Sequence, residues 1–385
     1  MSRFGEVLSS FDDFPVHQTS LPIAHTASSD LNHYDRYFFN GYTRDTRLYF
    51  AAAMGLYPNR HVADAAFSVV IDGGTIDARQ VNVHASRRAP TDRAEANQVG
   101  PITVEVLEPL HALRLVVEAP EHGLRADLTF VRRSAPIEEP HFLHQMGVRV
   151  MFDYTRLTQF GGWEGWVEVD GELIDLNPGE TWGSRDRSWG VRPVGERGST
   201  GAPIADPQFF WLWAPINFET FSTHFDVNEL FDGKRWHETG VIAQVDTGDG
   251  VLPETMRSMD YRVGWTPGTR YADWFEIDLV PWIGEPSTIR LEPLFHFQML
   301  GIGYGHPEWS HGVWKGELAV GGDRWDLPIE NPNAYEHVHI QAIVKATTSG
   351  GIGEHEGIGI LEQLALGRHV PTGLDGLLDG WESRE

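Results

Sequence analysis

Trp163–Leu176 reads WEGWVEVDGELIDL and Trp314–Leu327 reads WKGELAVGGDRWDL. At a constant offset of 151 they share Trp163/Trp314, Gly165/Gly316, Val169/Val320, Gly171/Gly322, Asp175/Asp326 and Leu176/Leu327. Just upstream, EPHFLHQM (Glu139–Met146) faces EPLFHFQM (Glu292–Met299) with Glu, Pro, Phe, Gln and Met matched, at an offset of 153. Matches in order and nearly in register mark an internal duplication, which decides architecture before any single element does. The longer segment alternates in hydrophobicity and turns at Asp170-Gly171 in one copy and Gly321-Gly322 in the other, so each copy is predicted to be a hairpin.

Outward from this pair, short alternating runs keep recurring, among them Phe67–Asp72, Leu113–Glu118, Ala126–Arg132, Phe209–Trp213, Thr220–Asn228 and Trp274–Leu279. Only Val62–Ala66 and Leu361–Leu366 look briefly helical, and both could instead be turns or strand ends. Many short strands with frequent turn signals predict an all-β chain of two tandem homologous β-barrel domains. The boundaries expected are an N-terminal extension over 1–29, a first barrel over 30–195, a second over 205–366 and a tail over 367–385, with Pro193–Pro207 as linker. A length of 385 residues suits two cores better than one.

The net charge of −25 argues against nucleic acid and anionic membrane surfaces, both of which favour Lys and Arg. The absence of cysteine excludes disulfides, thiolate zinc sites, iron–sulfur clusters and thiol nucleophiles. No stretch approaches the length of a membrane-spanning helix, and the acidic start MSRFGEVLSSFDDFPVHQ lacks an apolar leader. A cytoplasmic protein without an integral membrane span is expected, with a homodimer left open. No Walker A loop, nucleophile elbow or zincin motif occurs, and the glycines of Gly301–Gly305 read as a loop.

The most unusual string is WGSRDRSWGVRP, Trp182–Pro193. On a strand, Ser184, Asp186 and Ser188 share one face while Arg185 and Arg187 share the other. Inside an apolar barrel the Asp186 carboxyl would stay protonated and serve as a general acid; the plainer alternative is an Asp salt-bridged to Arg187 or Arg192. Continuing the offset of 151 sets Ser184, Asp186 and Ser188 against Tyr335, His337 and His339. His-x-His on a strand can present two metal ligands, with a third from His311, His306 or Glu308, although a polar lining is the commoner meaning and no metal is assigned. In FETFSTHFDVNE, His224 and Asp226 are either an acid/base pair at a barrel mouth or part of a solvated polar face. Glu362, alone in an apolar run, is the remaining candidate.

GSRDRSWG followed by FFWLWAPI resembles the carotenoid 1,2-hydratase (hydroxyneurosporene synthase) family, whose string runs roughly Gly-Tyr-x-Asp-x-Asn-x-Gly before a Trp-rich strand. Gly183, Asp186, Trp189 and Gly190 fit it, Trp211 and Trp213 follow, and Ser184 and Ser188 stand where the family has Tyr and Asn. Val313–Leu318, VWKGEL, and Gly357–Gly367, GIGILEQLALG, look like its C-terminal motifs, with Glu362 at the family's Glu. The resemblance implies two lipocalin-like barrels and hydration or protonation of a terpenoid-like alkene without metal or organic cofactor, the proton coming from Asp186.

A hydratase/dehydratase (a lyase) or an isomerase/cyclase is therefore expected, with a hydrophobic small molecule as substrate. Asp186 would act with His337, His224 or Glu362, and Trp182, Ser184, Trp189, Trp211, Trp213, Tyr335 and His339 would line the site, the indoles facing a developing carbocation. The alternatives are a non-catalytic carrier of a hydrophobic molecule, since a small barrel can hold one ligand, or a metal-dependent enzyme built on His337 and His339.

Overall fold

In the computed structural model, residues 7–16, 19–194, 207–245 and 251–382 are described; the expected linker Pro193–Pro207 lies outside them except at its ends. The first half supplies β1 (His33–Thr43), β2 (Leu48–Tyr57), β3 (Val62–Ile71) and β4 (Arg79–Arg88). It continues through β5 (Gln98–Val99), β6 (Ile102–Glu108), β7 (Ala112–Ala119), β8 (Leu124–Arg132), β9 (Ile137–Glu138) and β10 (Phe142–Met146). The long β11 (Arg149–Val169), β12 (Glu172–Leu176) and β13 (Thr181–Val191) complete it. The second half has β14 (Phe209–Asn217), β15 (Phe221–Glu229), β16 (Arg235–Gln244), β17 (Glu254–Thr255), β18 (Ser258–Trp265) and β19 (Ala272–Val280). Then follow β20 (Ser287–Gln298), β21 (Leu318–Asp326), β22 (His339–Gly350) and β23 (Glu356–Leu366).

The first sheet runs β21-β4-β3-β2-β1-β13-β11-β8-β7-β6-β5 and the second β17-β16-β15-β14-β23-β22-β20-β19-β18. From β4 to β6 the first follows the same path as the second, strand for strand, so the chain is all-β with two barrel domains of one topology, as expected. Each sheet curls around its own interior. Val81, Val83 and Ala85 of β4 meet Val99, Ile102 and Val104 in one core, and Phe225 and Val227 of β15 meet Phe275 and Ile277 in the other. Both interiors are filled by side chains, as expected of barrels this narrow. A third apolar cluster, including Phe38, Tyr49, Trp213, Phe297 and Ile343, glues the outer face of one barrel to the outer face of the other.

Three expectations are corrected. Val62–Ala66 and Leu361–Leu366 are not helical but lie in β3 and β23. Their apolar residues do not alternate because one strand face fills a barrel and the other the inter-barrel seam. Secondly, Asp170-Gly171 does turn a hairpin, between β11 and β12, both residues having positive φ. Gly321-Gly322 does not; it sits mid-strand in β21, where a Cβ on Gly321 would come within 2.5 Å of the Trp309 ring. Thirdly, β21 belongs by sequence to the second half yet pairs antiparallel with β4 at the edge of the first sheet, Leu318 opposite Arg87 through Asp326 opposite Arg79.

Candidate active site

Alternation along β13 sorts its side chains as the sequence predicts, but the faces are not those expected. Arg185 and Arg187 point toward the first barrel's interior, over the rings of Phe130 and Tyr37. Arg185 binds Asp13 of the N-terminal segment, at 2.6 Å, and Arg187 binds Asp35. Trp182, Ser184, Asp186 and Ser188 face outward, into the seam. Asp186 therefore stands between the barrels, not inside one.

There it lines a small cavity of about 20 Å³, which has room for a water. Phe38, Trp211, Trp213 and Met299 form apolar walls, and Arg36, Arg156, Arg192, Tyr154, Tyr304 and Glu362 supply the polar ones. Burial pushes the Asp186 carboxyl up from 3.8 to about 6, against the pull of Arg156, Arg36 and Arg192. Asp186 makes no hydrogen bond or ion pair among the described residues, and neither Arg187 nor Arg192 is its staple.

Glu362 reaches the same cavity from the other barrel. Asp186 lies opposite Phe38 of β1 and Thr158 of β11; Glu362 lies opposite Trp213 of β14 and Gln341 of β22. The two carboxyls thus occupy corresponding strands, β13 and β23, and the rings of Phe38 and Trp213 meet edge-on at 6.1 Å between them. Their surroundings differ. Glu362 is buried, with one oxygen 2.7 Å from His339 Nε2 and the other accepting from Gln341 Nε2 at 2.6 Å. Tyr49, from the first barrel, donates to Gln341 Oε1.

Below the cavity, Arg156 of β11 donates to Glu139 at 2.7 Å through each of two nitrogens and to Asp226 of β15. Burial opposes charge on Glu139, but Arg156 and His224 outweigh it and hold the carboxyl well below its ordinary range. Asp226 is driven up, by burial first and then by Glu139 beside it, although Trp211 Nε1 donates to it at 2.8 Å. His237, stacked on Phe142 at 3.5 Å, is lowered by burial to about 3 and is neutral.

Of the residues expected in the site, Asp186, Glu362, Trp211 and Trp213 line the cavity. His339 stands behind Glu362, against the rings of Trp211 and Tyr304. His224 is buried in the Glu139 cluster, 3.4 Å from Glu139, so its strand face is neither solvated nor at a barrel mouth. The others lie elsewhere. Trp182 is sandwiched between the guanidiniums of Arg44 and Arg133, Ser184 is bonded to Asn40, and Trp189 is half-buried off the cavity. His337 and Tyr335 sit in a turn before β22, where Tyr335 is half exposed and the His337 carbonyl accepts from Tyr271. His337 and His339 hence do not share a strand face, because the chain turns through Ala334–Val338 before the strand begins.

Sequence reasoning missed Arg36, Arg156, Tyr154 and Tyr304 and gave Arg192 only a structural part. A cation set among aromatic residues of a strand, as in Tyr34–Phe39 and Tyr154–Phe160, is the signal that pointed there.

Two groups of side chains have metal-ligand chemistry among the described residues, Glu139/Asp226/His237 and His84/His306/Asp323. In the first, the Arg156 guanidinium already takes the place of a cation. In the second, His306 Nδ1 accepts from the backbone N–H groups of Glu308 and Trp309, both at 3.0 Å. Its proton is then on Nε2, which donates to Asp323 at 2.8 Å and is not available as a ligand.

The chain belongs to the Family of unknown function (DUF8625), whose model matches residues 8–375. No curated protein matches its sequence. Among solved structures it is similar in fold to kievitone hydratase from Nectria haematococca, with a TM-score of 0.51, 13% identity, and 86% of this chain and 88% of that one covered. Two structures of CghA, one with Sch210972, match at a TM-score of 0.44 and 11% identity, over 87% of this chain and 89% of theirs. The two-barrel lipocalin-like architecture implied by the carotenoid hydratase resemblance is thus present. No helix among the described residues is long and apolar enough to cross a membrane.

Proposed function

We propose that this family member is an acid–base enzyme that adds water to, or removes it from, a carbon–carbon double bond of a largely apolar small molecule, in the cleft between its barrels. The observation that carries this is Asp186: a carboxyl raised to about 6, unpartnered, facing a water-sized cavity with indole and phenyl walls. In the hydration direction the protonated carboxyl gives its proton to one alkene carbon through the π pair. Water bonds to the other carbon and its surplus proton returns to Asp186, so the alkene and one water give an alcohol. Glu362, fixed by His339 and Gln341, is an acceptor able to orient that water. Trp211 and Trp213 offer π-faces to the reacting carbons. The substrate enters by parting the side chains of the wall, since the cavity as it stands takes a water and no more. Each of these steps is carried by side chains of this chain. The fold likeness to a kievitone hydratase is an analogy that agrees with this chemistry.

The test uses a panel of unsaturated small molecules, prenylated and terpenoid alkenes together with unsaturated carboxylic acids, in deuterated water. The wild type should place one solvent deuterium on carbon in the product, detected by mass spectrometry, and Asp186→Asn should place none. Deuterium on carbon from the Asn variant ends the assignment.

A carrier role has one observation in its favour. An open cavity of about 430 Å³ lies at the mouth of the second barrel, lined by Tyr261, Trp265, Pro371 and Trp381 with Glu229 and Arg235. Binding there would quench indole fluorescence in the wild type and lose that response in Trp265→Ala, with no turnover in either.

A further inference from the structure

Three guanidiniums line the inter-barrel cavity, and only one is offset. Arg156 is held between Glu139 and Asp226. Arg36 donates to Tyr304 Oη at 2.7 Å and lies 3.1 Å from His311 Nε2, but has no carboxylate partner among the described residues. Burial first, then Arg36 and Arg192, keep that imidazole neutral. Arg192 has less: its Nε and Nη2 are buried with no hydrogen-bond partner among the described residues, and its guanidinium rests over the Tyr34 ring at 4.5 Å. Both oxygens of Glu362 are already taken. With Asp186 in its acid form, neither guanidinium has a carboxylate in ion-pair contact among the described residues, and the charge they meet comes only at longer range, from Asp64 and from the already bonded Glu362.

Such a state is costly, because an uncompensated buried charge loses its hydration with nothing in return, and the rings of Tyr34 and Tyr304 offset only part of that. Buried guanidinium nitrogens without acceptors are rare unless a ligand supplies them. A hydrocarbon would leave them unsatisfied. A carboxylate matches the guanidinium fork in shape and charge.

We propose that the cleft recognises its substrate by a carboxylate held by Arg192 and Arg36, with the apolar body along Trp211 and Trp213. This rests on the cleft being the reaction site. The substrate class is then an amphipathic unsaturated carboxylic acid, or its hydroxylated partner, and not a neutral terpenoid.

Acetate and its neutral isostere acetamide probe the head group alone, by calorimetric titration near neutral pH. The wild type should bind acetate saturably and acetamide not at all. Arg192→Gln should weaken acetate by about 10–100-fold, the value of a charge-assisted hydrogen bond, and Arg192→Lys should restore part of it. Asp186→Asn removes a competing negative charge and should tighten acetate several-fold. Equal binding of acetamide, or acetate affinity unchanged in Arg192→Gln, overturns the proposal. Should Arg192→Gln fail to fold, unchanged acetate affinity in Asp186→Asn overturns it instead. Deuterium incorporation that survives in Asp186→Asn strikes the acid reading, whereas loss of acetate binding in Arg192→Gln upholds the anion site regardless.

Discussion

At Asp186 the dependence on pH has a definite sign. Its carboxyl titrates at about 6 in the folded chain against 3.8 ordinarily, so between those values the folded state holds a proton that the unfolded state has released. The resulting stability is complete below about pH 4 and is lost as pH rises through about 6. Near neutral pH, Asp186→Asn should therefore stabilise the fold, by about 2–3 kcal/mol, while turnover falls about 10²–10⁴-fold. A denaturant midpoint read beside activity checks both. Asp64, likewise raised by burial to about 6, adds a slope of the same sign, and His237 and His296, lowered by burial to about 3 and about 4, add one of the opposite sign, so the Asp186 share is read as the difference between wild type and Asp186→Asn. Wild-type turnover should decline as pH rises past about 6, because the acid form is the reactive one. The charged and titratable groups around Asp186 are Arg36, Arg156, Arg192, Glu139, Glu362, His339, Tyr34, Tyr154 and Tyr304.

At the scale of the element, β13 is held in place by the absence of a side chain. A Cβ on Gly183 would run into the Asn40 carbonyl and the Trp163 ring nitrogen, which is bonded to that carbonyl at 2.8 Å. Gly183→Ala should cost about 3 kcal/mol by overpacking, seen as an earlier denaturant midpoint. The face pattern of this strand was legible in its sequence, and so was the two-barrel architecture, although not through the residue matches it was read from. What misled was register. The sequence matches set Asp186 against His337, whereas strand order sets β13 against β23, and so Asp186 against Glu362. The matched segments fall on non-equivalent strands, and β21, an insertion spent on the other sheet, displaced the count. Trp163 fills the first barrel while its match Trp314 is 46% exposed. The polar stripe of β15 was visible too, but a strand read alone cannot show that its polar face meets another domain instead of water.

The whole molecule is expected to fold as a single unit in spite of its two cores. Arg156 and Asp226 join across the seam, the inter-barrel cluster is fully apolar, and β21 ties the second half to the first sheet. Calorimetry should show one transition. A chain cut between residues 195 and 206 should give two insoluble pieces when they are made apart and a soluble pair when made together. Two separate transitions, or a first half soluble alone, would show the barrels to be independent. Arg156→Met should destabilise the whole by about 3–5 kcal/mol, since Glu139 and Asp226 lose the charge they share. The loan of β21 also gives biosynthesis a timetable. Arg88 ends β4 and Leu318 begins its partner, so the 229 residues 89–317 must leave the ribosome between them. At about 5–20 residues per second that is roughly 10–50 seconds in which the first barrel waits with an open edge. An unpaired edge strand invites other chains, so this interval is when the nascent protein most needs a chaperone, and slow codons between the halves would lengthen its exposure.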